Sequence, residues 1–147
     1  MADRTSSSIT INSGKSAVMT AIADFAAYPT WAEGVKSAEV LSTGADDRAD
    51  RVKITLETGP IKDSYVLAYS WNGDDAVQWD LAERGKVVTG MSGSYRLAAG
   101  ADAAAGTDVT YELSVDVSIP MLGMLKRKAE KVIIDAALKG LKRHVER

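Results

Sequence analysis

Ten residues late in the chain, Asp108 to Val117, alternate strictly and run into a proline and a long helical pattern, an order that restricts the fold more than any other feature. Val109, Tyr111, Leu113, Val115 and Val117 are apolar, with Asp108, Thr110, Glu112, Ser114 and Asp116 between them. Successive side chains of a strand point to opposite faces, so this run reads as a half-buried strand. Pro120 ends it, having no N–H to give to a ladder. From about Met121 to Glu146 there is no proline, and Gly123 and Gly140 are the weak points of what the spacing predicts to be one long helix. Leu122, Leu125, Ala129, Val132, Ile133 and Ala136 recur at the helical period and are expected to form its inner face. A meander that ends in one long amphipathic helix must lay that helix across its sheet. A curved sheet wrapped on a helix leaves room for a cavity, which points to ligand binding rather than to a catalytic cluster.

The upstream residues supply the rest of that sheet. Ser8 to Asn12 reads as a first strand, and Asn12 or Ser13 is the expected N-cap of a helix with Val18, Met19, Ile22 and Phe25 inside. Tyr28-Pro29-Thr30-Trp31 breaks that helix, and a short second one is expected through about Gly34. Strands are then expected over Ser37–Ser42, Arg51–Glu57, Lys62–Trp71, Ala76–Ala82 and Lys86–Leu97. Turn-forming stretches such as Asn72-Gly73 separate them. Connections this short force antiparallel neighbours, since a parallel crossover takes a dozen or more residues. The expected class is α+β: one strand, two short helices, a six-stranded meander and a terminal helix, seven strands in all.

Composition narrows the function. The 147 residues are expected to form a single domain, 1–147, with 46% hydrophobic and 26% charged residues. No apolar run is long enough to span a bilayer, and the opening Met-Ala-Asp-Arg-Thr-Ser-Ser-Ser carries no secretory pattern, so a cytoplasmic location is expected. Without cysteine, thiolate chemistry and cysteine-based zinc sites are excluded. His144 is the single histidine, expected at the solvated end of the last helix, where it complements the dipole. No cluster of His, Asp and Glu has metal-ligand spacing, so no metal and no cofactor is expected. Aromatic and basic positions do not interleave on the strands, which argues against nucleic acid. The net charge of −2 hides an asymmetry: Lys126 to Arg147 holds eight basic and three acidic residues, while the remainder holds ten and seventeen.

The chain resembles the helix-grip superfamily that includes START domains, birch-pollen-allergen-like proteins and the polyketide cyclase/dehydrase group. It is similar in particular to small actinobacterial proteins of the cyclase/dehydrase type. The residues that carry the resemblance are Ile9-Thr10-Ile11-Asn12, Tyr28-Pro29-Thr30-Trp31, Gly93-Ser94-Tyr95-Arg96-Leu97 and the segment from Ile119 to Glu130. The resemblance implies a deep cavity between the sheet and the last helix, used for an apolar or amphipathic small molecule. Its expected sheet wall is Leu56, Tyr65, Leu67, Tyr69, Trp79, Met91, Tyr95, Val115 and Val117. Trp31 would cover one end, and Leu125, Ala129, Val132, Ile133 and Ala136 would form the helix wall. The aromatase/cyclases of this group carry an arginine where this chain reads Tyr65-Val66-Leu67-Ala68-Tyr69-Ser70-Trp71, so no cation stands there to stabilise an enolate.

The reading is therefore a binder, or a carrier, of a lipid, isoprenoid or polyketide, with no catalytic residue assigned. The alternative is an enzyme of the cyclase/dehydratase class in which Tyr65 or Tyr69 donates a proton. A third reading is a peripheral membrane or partner-binding module. In it, Met121, Leu122 and Met124 touch the membrane at a portal, and Lys126, Arg127 and Lys128 meet head groups.

Overall fold

The computed structural model describes residues 4–32, 34–44, 47–58, 61–99, 106–118 and 123–146. Strands β1 (Thr5–Ile11), β2 (Val35–Thr43), β3 (Ala49–Thr58), β4 (Ile61–Asn72), β5 (Ala76–Glu83), β6 (Val88–Ala99) and β7 (Thr107–Val117) form one sheet. Every pairing is antiparallel, and the order is β1-β7-β6-β5-β4-β3-β2. Consecutive strands from β2 to β7 are neighbours because short turns join them. At the β4–β5 turn, Gly73 takes a φ of 55°, a conformation that costs glycine nothing. β1 returns to pair with β7, which places the first strand of the chain beside the last.

Among the described residues three helices lie against this sheet: α1 (Lys15–Ala23), α2 (Tyr28–Trp31) and α3 (Gly123–Val145), with one 3₁₀ turn, Phe25–Ala27, between the first two. α1 buries Val18, Met19 and Ile22 as the periodicity predicts. Its N-cap is Gly14, not Asn12 or Ser13, and no side chain caps it. Ser13 instead donates its N–H to the Ile11 carbonyl, and its own carbonyl accepts from the Thr107 hydroxyl. α2 is a single turn whose Tyr28 hydroxyl donates to the Ile22 carbonyl, so Tyr28 anchors the bend to α1.

The inner face of α3 differs from the expectation. Glu130, Ile134, Leu138, Gly140 and Leu141 are buried, and Ala137 packs against the core. Ala129 and Ile133 are exposed, Val132 is 63% exposed, and Ala136 is half-buried. The physical reason is Glu130. Its carboxylate accepts from Lys126 Nζ at 2.6 Å, Thr5 Oγ1 at 2.7 Å and the Val115 N–H at 2.7 Å, which ties α3 to both β1 and β7. With Glu130 turned inward, the 3.6-residue period carries Ile134, Leu138 and Leu141 with it. Burial alone would raise the Glu130 pKa, yet these hydrogen bonds outweigh it and hold the carboxyl below its usual range.

Asp63 plays a comparable part at the β5–β6 turn. It is buried and accepts the N–H groups of Lys86, Val87 and Val88. Burial works against its charge, and the backbone donors prevail, lowering its pKa. Gly85 lies so close to that carboxylate that a Cβ there would collide with it.

Candidate functional site

The sheet pattern decides which side chains face the helices. On β4, Tyr65, Leu67, Tyr69 and Trp71 share a face, and the cross-strand register joins them to Ile54 and Val52 on β3 and to Leu81, Trp79 and Val77 on β5. Trp79 lies opposite Gly93, and Tyr95 opposite Tyr111. A Cβ on Gly93 would strike the Trp79 indole, so this glycine makes room for an aromatic ring rather than bending the strand.

An aromatic cluster results. Tyr69 contacts Phe25 at 5.0 Å and Trp79 at 5.7 Å between ring centroids; Trp79 contacts Tyr95 and Tyr111, each at 5.6 Å; Tyr95 and Tyr111 meet edge-on at 4.5 Å. Phe25 continues it through Tyr28 to Trp31. Tyr65, Tyr69, Tyr95 and Tyr111 are buried, and burial pushes each phenol well above its ordinary pKa, so all four are protonated donors. Their mutual electrostatic influence adds to the shifts, as expected for hydroxyls gathered in one region. Among the described residues none of the four hydroxyls has a hydrogen-bond partner, whereas that of Tyr28 does. None of these four oxygens is among the fully enclosed unpaired atoms, which among the described residues are Trp31 Nε1, Ser94 Oγ and His144 Nδ1.

One end of the same face is less covered. Leu56, Leu81, Met91 and Val115 pack against the core yet remain half-buried, and Val117, next on the same face of β7 by alternation, is half-buried too. The register places them side by side: Met91 pairs with Val115, Val117 with Val88, and Leu81 with Leu67. At this end Asp63 of β4 holds the backbone of Lys86, Val87 and Val88, and Lys126 in the first turns of α3 reaches Ser114 on β7. Lys131 and Lys142 reach from α3 to Ser7 and to the Thr10 carbonyl of β1. The flank carrying Ala129, Ile133 and Ala136 therefore faces away from β1, on the side where Gly140 meets α2. Ala129 and Ile133 are exposed and Ala136 is half-buried, and none of the three packs against the core.

At the opposite end of α3 a cleft of about 190 Å³ lies between Pro29–Ala32, Gly34, Val35, Gly140 and Arg143. Trp31 forms its inner wall, stacking on His144 at 5.9 Å and 19°. His144 is thus half-buried against an indole and not free at a solvated helix end. Trp31 Nε1 and His144 Nδ1 are buried and have no partner among the described residues.

Of the expected pocket residues, Tyr65, Leu67, Tyr69, Trp79, Tyr95 and Trp31 are buried, and Leu56, Met91, Val115 and Val117 line the less covered end. Val132 points away from the sheet. Met121 and Leu122 lie outside the described residues, as do the side chains of Met124 and Leu125. Lys126 is held by Glu130 and by Ser114 at 3.2 Å, so it does not stand free with Arg127 and Lys128. Arg96 is exposed, facing opposite to Tyr95 as alternation requires. Tyr111 is an addition to the expected pocket, and its place in the alternating run of β7, on the same face as Val115, is the signal that points to it. Among the described residues no group of His, Asp and Glu has the arrangement of a metal site, and no helix is long and apolar enough to cross a membrane.

Residues 2–146 match the polyketide cyclase/dehydrase and lipid transport family. The chain belongs to that family. Solved structures agree with the fold. A START superfamily protein from Mycobacterium smegmatis superposes with a TM-score of 0.88 at 19% identity, covering 99% of this chain and 98% of that one. A Thermus thermophilus protein gives 0.77 at 19% identity, with 97% of each chain covered. The Zhui aromatase/cyclase from a Streptomyces species gives 0.73 at 14% identity, covering 98% and 93%. At these identities the likeness establishes the helix-grip architecture alone. No curated protein matches the chain.

Proposed function

We propose that the protein binds an apolar or amphipathic small molecule, of lipid, isoprenoid or polyketide type, between the sheet and α3. The observation that carries this reading is the pairing of two features on one face. The half-buried row of Leu56, Leu81, Met91, Val115 and Val117 offers an apolar entrance. Beyond it stand four protonated phenols without partners among the described residues. Ligand sites in general are apolar walls with a few placed polar groups, and here the tyrosines would orient a carbonyl or hydroxyl of the ligand. The family, which by its description includes lipid transport, supports the same class of ligand.

Native mass spectrometry of protein purified from its own host tests this. The expected result is a co-purified apolar species that is displaced by added fatty acid. Protein that is ligand-free and takes up no fatty acid contradicts the reading.

A cyclase or dehydratase is the second reading, favoured by the same phenols, which as donors suit a polarised carbonyl oxygen. Against it, the tyrosine-rich stretch of β4 contains no arginine. If a poly-β-keto substrate is turned over and Tyr65→Phe abolishes that turnover, the enzyme reading replaces the binder.

A further inference from the structure

The acidic residues of α3 are all committed to neighbours. Glu130 is paired with Lys126, Asp135 with Lys131 at 2.7 Å and Glu146, just past the helix end, with Lys142 at 2.5 Å. Those pairs consume three of the basic residues, and the charge excess of the helix rests on the others. Lys128, Lys139 and Arg143 are exposed and make no ion pair within 4 Å among the described residues, Lys139 acting on Asp135 only at longer range. At 100° per residue these three and Val132 fall within about 60° of arc, directly opposite the buried line of Glu130, Ile134 and Leu141. Val132, at 63% exposure, is the most exposed large hydrophobic residue described, and Ile133 beside it is 46% exposed. The outward arc of α3 is thus a basic stripe about 22 Å long with an aliphatic side chain along it. Val132 thus stands among cations of which only Lys139 has a described acid of the helix, Asp135, acting on it, and Lys131 holds that acid more closely.

We propose that this outer face of α3 docks on an anionic lipid bilayer. Charge complementarity selects the occupant. Three unpaired cations along a straight line suit a laterally continuous sheet of negative head groups, and Val132 suits the shallow apolar zone beneath them. The rest of the chain from Met1 to Leu125 carries an excess of seven negative charges, which repels such a surface and fixes which side approaches it. The contact differs from the portal expected from sequence, because Lys126 belongs to Glu130 and the stripe runs along the helix instead of around its tip. Each basic residue near an anionic surface is worth roughly fivefold in partitioning, and attraction fades beyond about 8 Å at physiological ionic strength.

The test is flotation of the full-length protein with phosphatidylcholine vesicles, with and without phosphatidylglycerol, over a salt series. We expect binding that requires phosphatidylglycerol and weakens steeply as salt rises. Lys128→Glu with Lys139→Glu should reduce it at least tenfold, and Val132→Ser by a smaller factor. Arg96→Glu, on the far side of the sheet, should leave it unchanged. Circular dichroism confirms that the variants fold, and their uptake of fatty acid from solution should match the wild type, which separates this surface from the ligand site. Absence of binding to phosphatidylglycerol vesicles at low salt overturns the proposal. So does equal binding by the double variant, or equal binding to pure phosphatidylcholine.

Discussion

Single hydroxyl groups mark the interior of this molecule. Tyr65, Tyr69, Tyr95 and Tyr111 are buried without partners among the described residues, while the buried carboxylates Glu130 and Asp63 are each held by several donors. The two kinds of group should respond differently to deletion. Tyr69→Phe removes a hydroxyl that has no partner among the described residues and is not fully enclosed, so the ligand-free protein should change by less than about 1 kcal/mol in urea unfolding. The same substitution should weaken binding of a carbonyl-bearing ligand by about 1 kcal/mol, read by fluorophore displacement. Glu130→Ala leaves the Val115 N–H and the Thr5 hydroxyl unsatisfied and removes the nearest acid from Lys126, at a cost of about 3 kcal/mol. The pKa of Glu130 is lower in the folded than in the unfolded state. Its stabilisation is therefore complete above the unfolded pKa, about 4.3, and is lost as pH falls through the lower folded value. Urea midpoints measured from pH 6 down to pH 3 should fall less steeply in Glu130→Gln than in the wild type.

The strands are legible in the sequence because their period of two leaves little choice of face, and their observed bounds differ from the expected ones by only a few residues. Tyr65, Tyr69, Trp79 and Tyr95 face inward as alternation requires. α3 is harder to read, because two stripes compete on it: Leu125, Ala129, Val132 and Ile133, or Glu130, Ile134, Leu138 and Leu141. Hydropathy favours the first, since it contains no charge. The second wins through tertiary contacts with Val115 and Thr5 that no local pattern contains, although Ile134, Leu138, Leu141 and Val145 do recur at helical spacing. The Trp31–His144 stack is invisible to local patterns for a similar reason, as it joins residues more than a hundred positions apart. Gly140 allows that approach: a Cβ there would run into the Trp31 carbonyl. Alanine is the better helix former by about 1 kcal/mol, yet the obstruction is backbone and has no rotamer to escape by. Gly140→Ala should therefore destabilise the protein by about 1–2 kcal/mol, seen as a lower urea midpoint, with a change in tryptophan fluorescence as α2 moves off α3.

At the scale of the whole molecule, the sheet supplies the shape and the helices decide what it encloses. α3 covers β1 and β7, α2 closes toward β2, and the far end of the inner face keeps its apolar row half-open. That division explains why the family is readable from sequence while the site is not. The helix-grip order rests on strand count and turn lengths. The face that α3 turns to the sheet depends on tertiary contacts, among them the hydrogen bonds by which Glu130 ties α3 to β1 and β7. The central claim, that this face receives an apolar ligand, is tested most directly by isothermal titration of a fatty acid into the protein at several temperatures. Saturable one-site binding with a negative heat-capacity change, lost in Met91→Lys at the entrance, is the predicted result. Absence of saturable binding, or binding that Met91→Lys leaves untouched, would contradict it.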